Sequence, residues 1–297
     1  MYHEVLDDSA PINAWTVVKK SHFIRQMEYL QSNFRIVSLD EAFQSIYLQS
    51  IQTDKNIAVI TFDDGYSGNR KVVFPIIESM GVPVTIFVST GTVQNRVLNW
   101  YDSLITAFQH DGRIQINLER FNLGTYNISS HHTSEGRWIE IEEVLAALKK
   151  LTPDTREAAV RHILEKFDTR QITPLAPLSI SEIREMSKSP FVTFGAHSHC
   201  HNRLIQLDKE KIKVSIERSK SFLEEWTGKP MRHFAYPNGD YNQDVISCLK
   251  ETGFDSGLTT LSRLWGDGDT PFTIPRIGIG RYDSFASFKA KVSGIFI

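Results

Sequence analysis

This chain of 297 residues has only two cysteines, Cys200 and Cys248. Two thiols build neither a disulfide framework nor a four-cysteine zinc site, and they are read as reduced. No apolar run approaches the ~18–20 residues that span a bilayer. Charge of either sign is not in excess: 33 basic residues stand against 35 acidic ones, a net −2. Without a basic stripe, a nucleic-acid partner is excluded. The opening MYHEVLDDSA lacks the basic start and apolar stretch of a signal peptide. The default expectation is therefore the cytoplasm, with export only if an N-terminal segment is missing from this sequence. Repeats of fixed period and low-complexity tracts are absent as well, and nothing marks an oligomeric state.

What the chain does have is core material: 41% of its residues are hydrophobic. The clearest unit covers residues 57–90. IAVITF is a continuous apolar run, as expected of a parallel strand buried on both faces. Val73, Ile76, Ile77 and Met80 then follow helical spacing. Gly81 sits where a helix C-cap belongs, and VPVTIFVS is the next apolar run. Strand, helix, strand in about 35 residues is a βαβ unit, which implies an α/β fold with a parallel sheet. FVTFGAH, HFAY, SGLTT and PRIGIG read as further strands. A helix from Asp208 to Gly228 and a capping box, Ser38 with Glu41, complete the scaffold. Residues 95–180 are far longer than one crossover needs. They carry helical spacing at Ile141, Val144, Leu145 and Leu148, and again at Val160, Ile163, Leu164 and Phe167. The reading is one domain, 1–297, with a mostly helical insertion at about 95–180.

Two constellations carry chemistry. Asp63 and Asp64 end the IAVITF strand, and sites form at the carboxyl ends of parallel strands. Neighbours on an extended chain point to opposite sides, so the two carboxylates need not share a role. An Asp-Gly turn would explain Asp64 alone. The second constellation is GAHSHCHNRL, where His197 and His201 lie four apart, one face of a helical turn. Two imidazoles and one carboxylate, Asp64, make a facial set for one divalent metal. Zinc is the default, with cobalt, nickel or manganese also admitted. Asp63 is then free to act as general base.

TFDDG, His197-Ser-His-Cys-His201 and FAYPNG together resemble the motifs of the polysaccharide deacetylases, the NodB-homology carbohydrate esterases. MYHEV and PRIGIG are similar to elements of members found with exopolysaccharide synthesis. The resemblance covers residues 1–90 and 190–280. It implies a distorted (β/α) barrel and removal of acetyl groups from N-acetylated amino sugars of a polysaccharide or oligosaccharide. It implies Asp63 as the base acting on a metal-bound water, and Asp64, His197 and His201 as ligands. It further implies that Tyr236, Pro237, Asn238 and Gly239 line the substrate groove, the Asn238 N–H supporting the oxyanion. Two positions depart from the pattern. Ala235 stands where the family carries an arginine, and Arg276 is the candidate replacement. No histidine follows His233, so the general acid is unassigned among His3, His199 and Asp267. Trp100, Tyr101, Trp138, Tyr236 and Trp265 are flat apolar surfaces suited to sugars or to the core, and Trp100 and Asp102 of NWYD are placed along the groove. The same site would serve a deformylase or small-molecule amide hydrolase. With the acid and arginine lost, it would be a glycan-binding protein.

Overall fold

The computed structural model describes residues 1–48, 56–109, 112–129, 134–167, 175–266 and 268–295. Five parallel strands, Ile60–Phe62, Val84–Val88, Val192–Ala196, His233–Ala235 and Ser256–Leu258, pair in chain order. The register stacks Phe62 on Ile86 and Ile86 on Phe194. Burial on both faces explains why these stretches read as unbroken apolar runs rather than alternating ones. Phe62, Ile86 and Phe234 are fully buried in the main core. Truncating one such phenylalanine to alanine costs about 3–5 kcal/mol.

The sheet curls, and its two edges are joined by single hydrogen-bonded segments. Tyr2 bridges Phe62 on one edge, with Tyr2 N–H on Thr61 O and Asp63 N–H on Tyr2 O. Ile274 bridges Leu258 on the other. Met1 and Ile277–Ile279 then connect the two through Met1 N on Ile277 O and Ile279 N–H on Met1 O. The hydrogen-bonded ring is thereby complete, and the distorted (β/α) barrel expected from the resemblance is the observed architecture. PRIGIG closes the ring as an extended segment rather than a regular strand.

Three local readings change. IAVITF divides: Ile57–Ala58 pairs with Arg35–Ile36, while Ile60–Phe62 joins the central sheet. The helix after the DDG turn opens as a π-helical turn, Asn69–Val73, before the α-helix Phe74–Met80. Pro75 has no N–H and crowds the carbonyl four residues back, so the α ladder cannot run through it. The insertion holds helices Trp100–Ala107, Ser134–Leu148 and Pro153–Leu164, but also an antiparallel pair, Ile114–Asn117 with Thr125–Ile128. Its signal was the alternation Ile114, Ile116, Leu118, with Ile116 and Leu118 buried. The insertion packs its own apolar cluster, including Leu104, Ile116, Val144 and Ile163, against the barrel mouth.

Candidate active site

At the end of the Ile60–Phe62 strand the chain turns at once, because Asp64 and Gly65 both take left-handed backbone angles (φ 73° and 75°). Aspartate tolerates that conformation better than most side chains. The turn sends the two carboxylates to different partners. Asp63 receives a bidentate grip from Arg276, Nη1 to Oδ1 at 2.6 Å and Nη2 to Oδ2 at 2.7 Å. The guanidinium is itself anchored by Nε donating to Thr259 O at 2.9 Å. Burial alone would push the Asp63 carboxyl up, but the charge of Arg276 with that of His197 outweighs it and holds the group below its ordinary value. Arg276 therefore stands where its sequence position gave only a candidate.

Asp64 faces the histidines. Its Oδ1 lies 3.4 Å from His197 Nε2 and 3.1 Å from His201 Nε2. One donor atom from each of the three residues falls within 4.8 Å of the others, and all three residues are buried. The imidazoles do not converge on a helical turn, as their spacing suggested. Residues 197–201 form a loop in which Ser198 (φ 61°) and His201 (φ 50°) are both left-handed, pinned by His201 N–H on Ser198 Oγ at 3.1 Å. A loop achieves what a helix would have done because two backbone reversals bring position i+4 back beside position i. His197 Nδ1 lies 2.7 Å from Ala235 O. A carbonyl can only accept, so Nδ1 carries a proton and Nε2 is the nitrogen turned toward Asp64, the one available to a metal. Asp64 Oδ1 is buried without an aligned hydrogen bond. An orphaned carboxylate oxygen facing two imidazole nitrogens is the donor set of a divalent cation such as zinc, so the residues fit a metal. Burial opposes ionisation of Asp64, yet His201 and His197 hold its carboxyl well below the usual range.

These groups open into one cavity of about 410 Å³, which Asp63, Asp64, His197, His201 and Asn238 line together with His3. The Asn238 N–H donates to no acceptor among the described residues. Gly239 (φ 77°) permits the turn there, where a Cβ would collide with Thr260. Other residues placed in the groove by sequence do not line this cavity. Tyr236 is fully buried, donates to Phe272 O at 3.0 Å and stacks on Tyr241. Pro237 is buried beside it. Trp100 sits under the Arg156 guanidinium in the insertion. Asp102 is buried and accepts from Tyr66 O–H at 2.7 Å; burial, then the neighbouring Asp64, pushes its carboxyl well up, and it packs as a structural group rather than a sugar ligand. Trp265 packs on Tyr47, away from the site.

Of the three acid candidates, His199 pairs with Thr90 Oγ1 at 2.9 Å and stacks on Phe222, outside the cavity. Asp267 lies outside the described residues. His3 lines the cavity, and its Nδ1 is buried without a hydrogen-bond partner. Burial lowers its pKa against the pull of Asp64 and Asp63. Sequence reasoning passed over several wall residues, among them Trp15, Glu142, Lys149 and Thr260. Helical spacing from Trp138 through Glu142 and Leu145 to Lys149 was the available signal for part of that wall.

The profile of the polysaccharide deacetylase family matches residues 50–257. A curated relative, the poly-beta-1,6-N-acetyl-D-glucosamine N-deacetylase of Staphylococcus aureus, is 26% identical over 108 residues, 34% of this chain and 37% of the relative's length. Among solved structures, the Streptococcus pyogenes deacetylase PplD in complex with acetate superposes with a TM-score of 0.64 at 16% identity, covering 98% of this chain and 95% of that one. IcaB from Ammonifex degensii gives 0.62 at 18%, covering 98% and 93%. At such identities the structural likeness speaks for the fold, while the profile covers more than half the chain. The chain belongs to the polysaccharide deacetylase family.

Proposed function

We propose that this protein is a metal-dependent N-deacetylase acting on N-acetylated amino sugars of a polysaccharide or oligosaccharide. The observation that carries the reading is the division of labour between adjacent aspartates: Asp64 faces His197 and His201, while Arg276 clamps Asp63 in the same cavity. Asp64, His197 Nε2 and His201 Nε2 are the residues that would hold a divalent metal, with zinc the first choice and cobalt, nickel or manganese admitted by the donor set. A metal bound there supplies Lewis acidity for the amide carbonyl and acidifies water at neutral pH.

The chain's own groups do the rest. Arg276 keeps Asp63 ionised, so its carboxylate can accept a proton from the attacking water. Hydrolysis moves the C–N bond's electron pair to nitrogen as the water oxygen bonds the acetyl carbon. In this reading the Asn238 N–H donates to the oxygen that becomes negative. His3, which lines the same cavity with Nδ1 unpaired, returns a proton to the leaving amine. Acetate and a free amino sugar result, and one proton balances the pair.

Purified protein should contain close to one equivalent of divalent metal and release acetate from N-acetylglucosamine oligomers. Asp63→Asn should retain metal and lose release, and His197→Ala should lose both. Stoichiometric metal without acetate release from any acetylated amino sugar would instead identify a glycan binder.

A further inference from the structure

One face of an insertion helix forms a wall of the cavity. Trp138, Glu142 and Leu145 of the Ser134–Leu148 helix line it, and so does Lys149 just beyond. They fall at i, i+4, i+7 and i+11, which is a single stripe about 16 Å long. Trp138 and Leu145 are buried, and Glu142 is exposed at the rim. The Lys149 end is fixed to the barrel. Its carbonyl accepts from Arg203 Nη1 at 3.3 Å and Gln206 Nε2 at 3.0 Å, both in the segment that follows His201. These bonds tie the Lys149 end of the wall to the segment that carries His201.

The cations of this cavity differ in one respect. Arg276 is committed to Asp63. Lys291 is committed to Asp283 at 2.7 Å and reaches Gly278 O at 3.3 Å. The Lys149 ammonium is half-buried and forms neither a salt bridge nor a hydrogen bond among the described residues. Burial disfavours its charge, and Glu142, Asp240 and Asp64 offset this only through space, without a direct contact, while Arg203 opposes them; an incoming anion in direct contact offsets more of that cost. Glu142 acts on the same ammonium but is exposed, so water screens both its attraction for Lys149 and its repulsion of an incoming anion. A single negative charge therefore suits the stripe better than a dianion.

We propose that Lys149 reads a carboxylate on the substrate, so that the preferred glycan carries an acidic sugar at or next to the acetamido sugar being processed. This inference rests on the deacetylase reading for what is processed, but binding tests it separately.

The experiment titrates metal-loaded Asp63→Asn protein, which binds without turnover, with two probes: chitotetraose, which is neutral, and a hyaluronan tetrasaccharide, which alternates acetamido and uronate sugars. The acidic probe should bind about tenfold more tightly, the scale of one partly buried charge contact. Adding Lys149→Gln should abolish that preference, and Lys150→Gln, an exposed neighbour, should leave it intact. The preference should also shrink with added salt. Equal affinity for both probes, a preference that survives Lys149→Gln, or failure to bind either probe overturns the proposal. Absence of acetate release from the unsubstituted protein would sink the deacetylase reading while leaving this preference measurable.

Discussion

Replacing Arg276 with methionine tests the pairing at the centre of the site. The guanidinium is 6% exposed and Asp63 2%, so the two bonds at 2.6 and 2.7 Å are largely shielded from bulk solvent. Removing one partner of such a pair strands a buried carboxylate, at a cost of about 3–5 kcal/mol. Protonating Asp63 limits the loss, because the carboxyl need not stay charged. A loss of about 3–4 kcal/mol at pH 7, with a urea slope near 3 kcal/mol per molar, lowers the unfolding midpoint by about 1 M. The pH dependence has a defined sign. With Arg276 present the folded-state pKa of Asp63 is lowered, so the pair stabilises above the ordinary carboxylate range and that contribution fades as pH falls through the lowered value. Without Arg276, burial raises the folded-state pKa, so stability falls as pH rises. The gap between the two proteins therefore widens from pH 3 to pH 7. Acetate release should fall by about 10²- to 10⁴-fold at neutral pH, because the base is protonated. The double variant Asp63→Asn/Arg276→Met should recover more than half of the lost stability. A deficit under about 1 kcal/mol, or one of equal size at pH 4 and pH 8, would refute the reasoning.

Asp64→Asn and His201→Ala should each reduce bound metal from about one equivalent to a small fraction, measured by elemental analysis after dialysis, because the second and third donors alone bind weakly. His3→Ala should keep metal content within error and lower kcat by about 10²- to 10⁴-fold; normal turnover in that variant would remove His3 as the acid. At the opposite side of the barrel, Asp40 is held below its ordinary pKa chiefly by His233 Nε2 at 3.2 Å, with Arg232 Nη1 at 2.7 Å beside it. Asp40→Asn should cost about 1 kcal/mol at pH 7, discounted because the carboxylate is partly solvated. The cost should shrink as pH falls through the lowered folded-state value, and thermal melts across a pH series check it.

Much of the scaffold was visible in the primary structure because buried parallel strands and amphipathic helices write different periods. Val84–Val88 and Val192–Ala196 emerged from apolar runs, and the helix Lys209–Thr227 from its Asp208 and Gly228 ends, where Asp208 Oδ1 accepts from Lys211 N–H and Gly228 is left-handed (φ 67°). The pair Ile114–Asn117 and Thr125–Ile128 escaped because two short, half-exposed strands alternate too weakly to stand out from the helices around them. Within the site, the spacing of His197 and His201 pointed to one metal through a helical turn, whereas the chain reaches the same convergence by two left-handed loop residues. Spacing constrains which donors can meet, but several backbone paths satisfy it.

The sequence by itself determined the class of chemistry: two carboxylates at a strand end, imidazoles four residues apart, and a βαβ frame to present them. These are local facts, fixed by residue identity and short separations along the chain. Only the tertiary structure decided which distant groups join them. Arg276 meets Asp63 across 213 positions, and Lys149 enters the wall from the insertion. Tyr236 and Asp102 turn inward to Phe272 and Tyr66 instead of toward a sugar. Such choices follow from how barrel closure and insertion packing orient side chains, and no short-range pattern encodes a direction that depends on elements hundreds of residues apart.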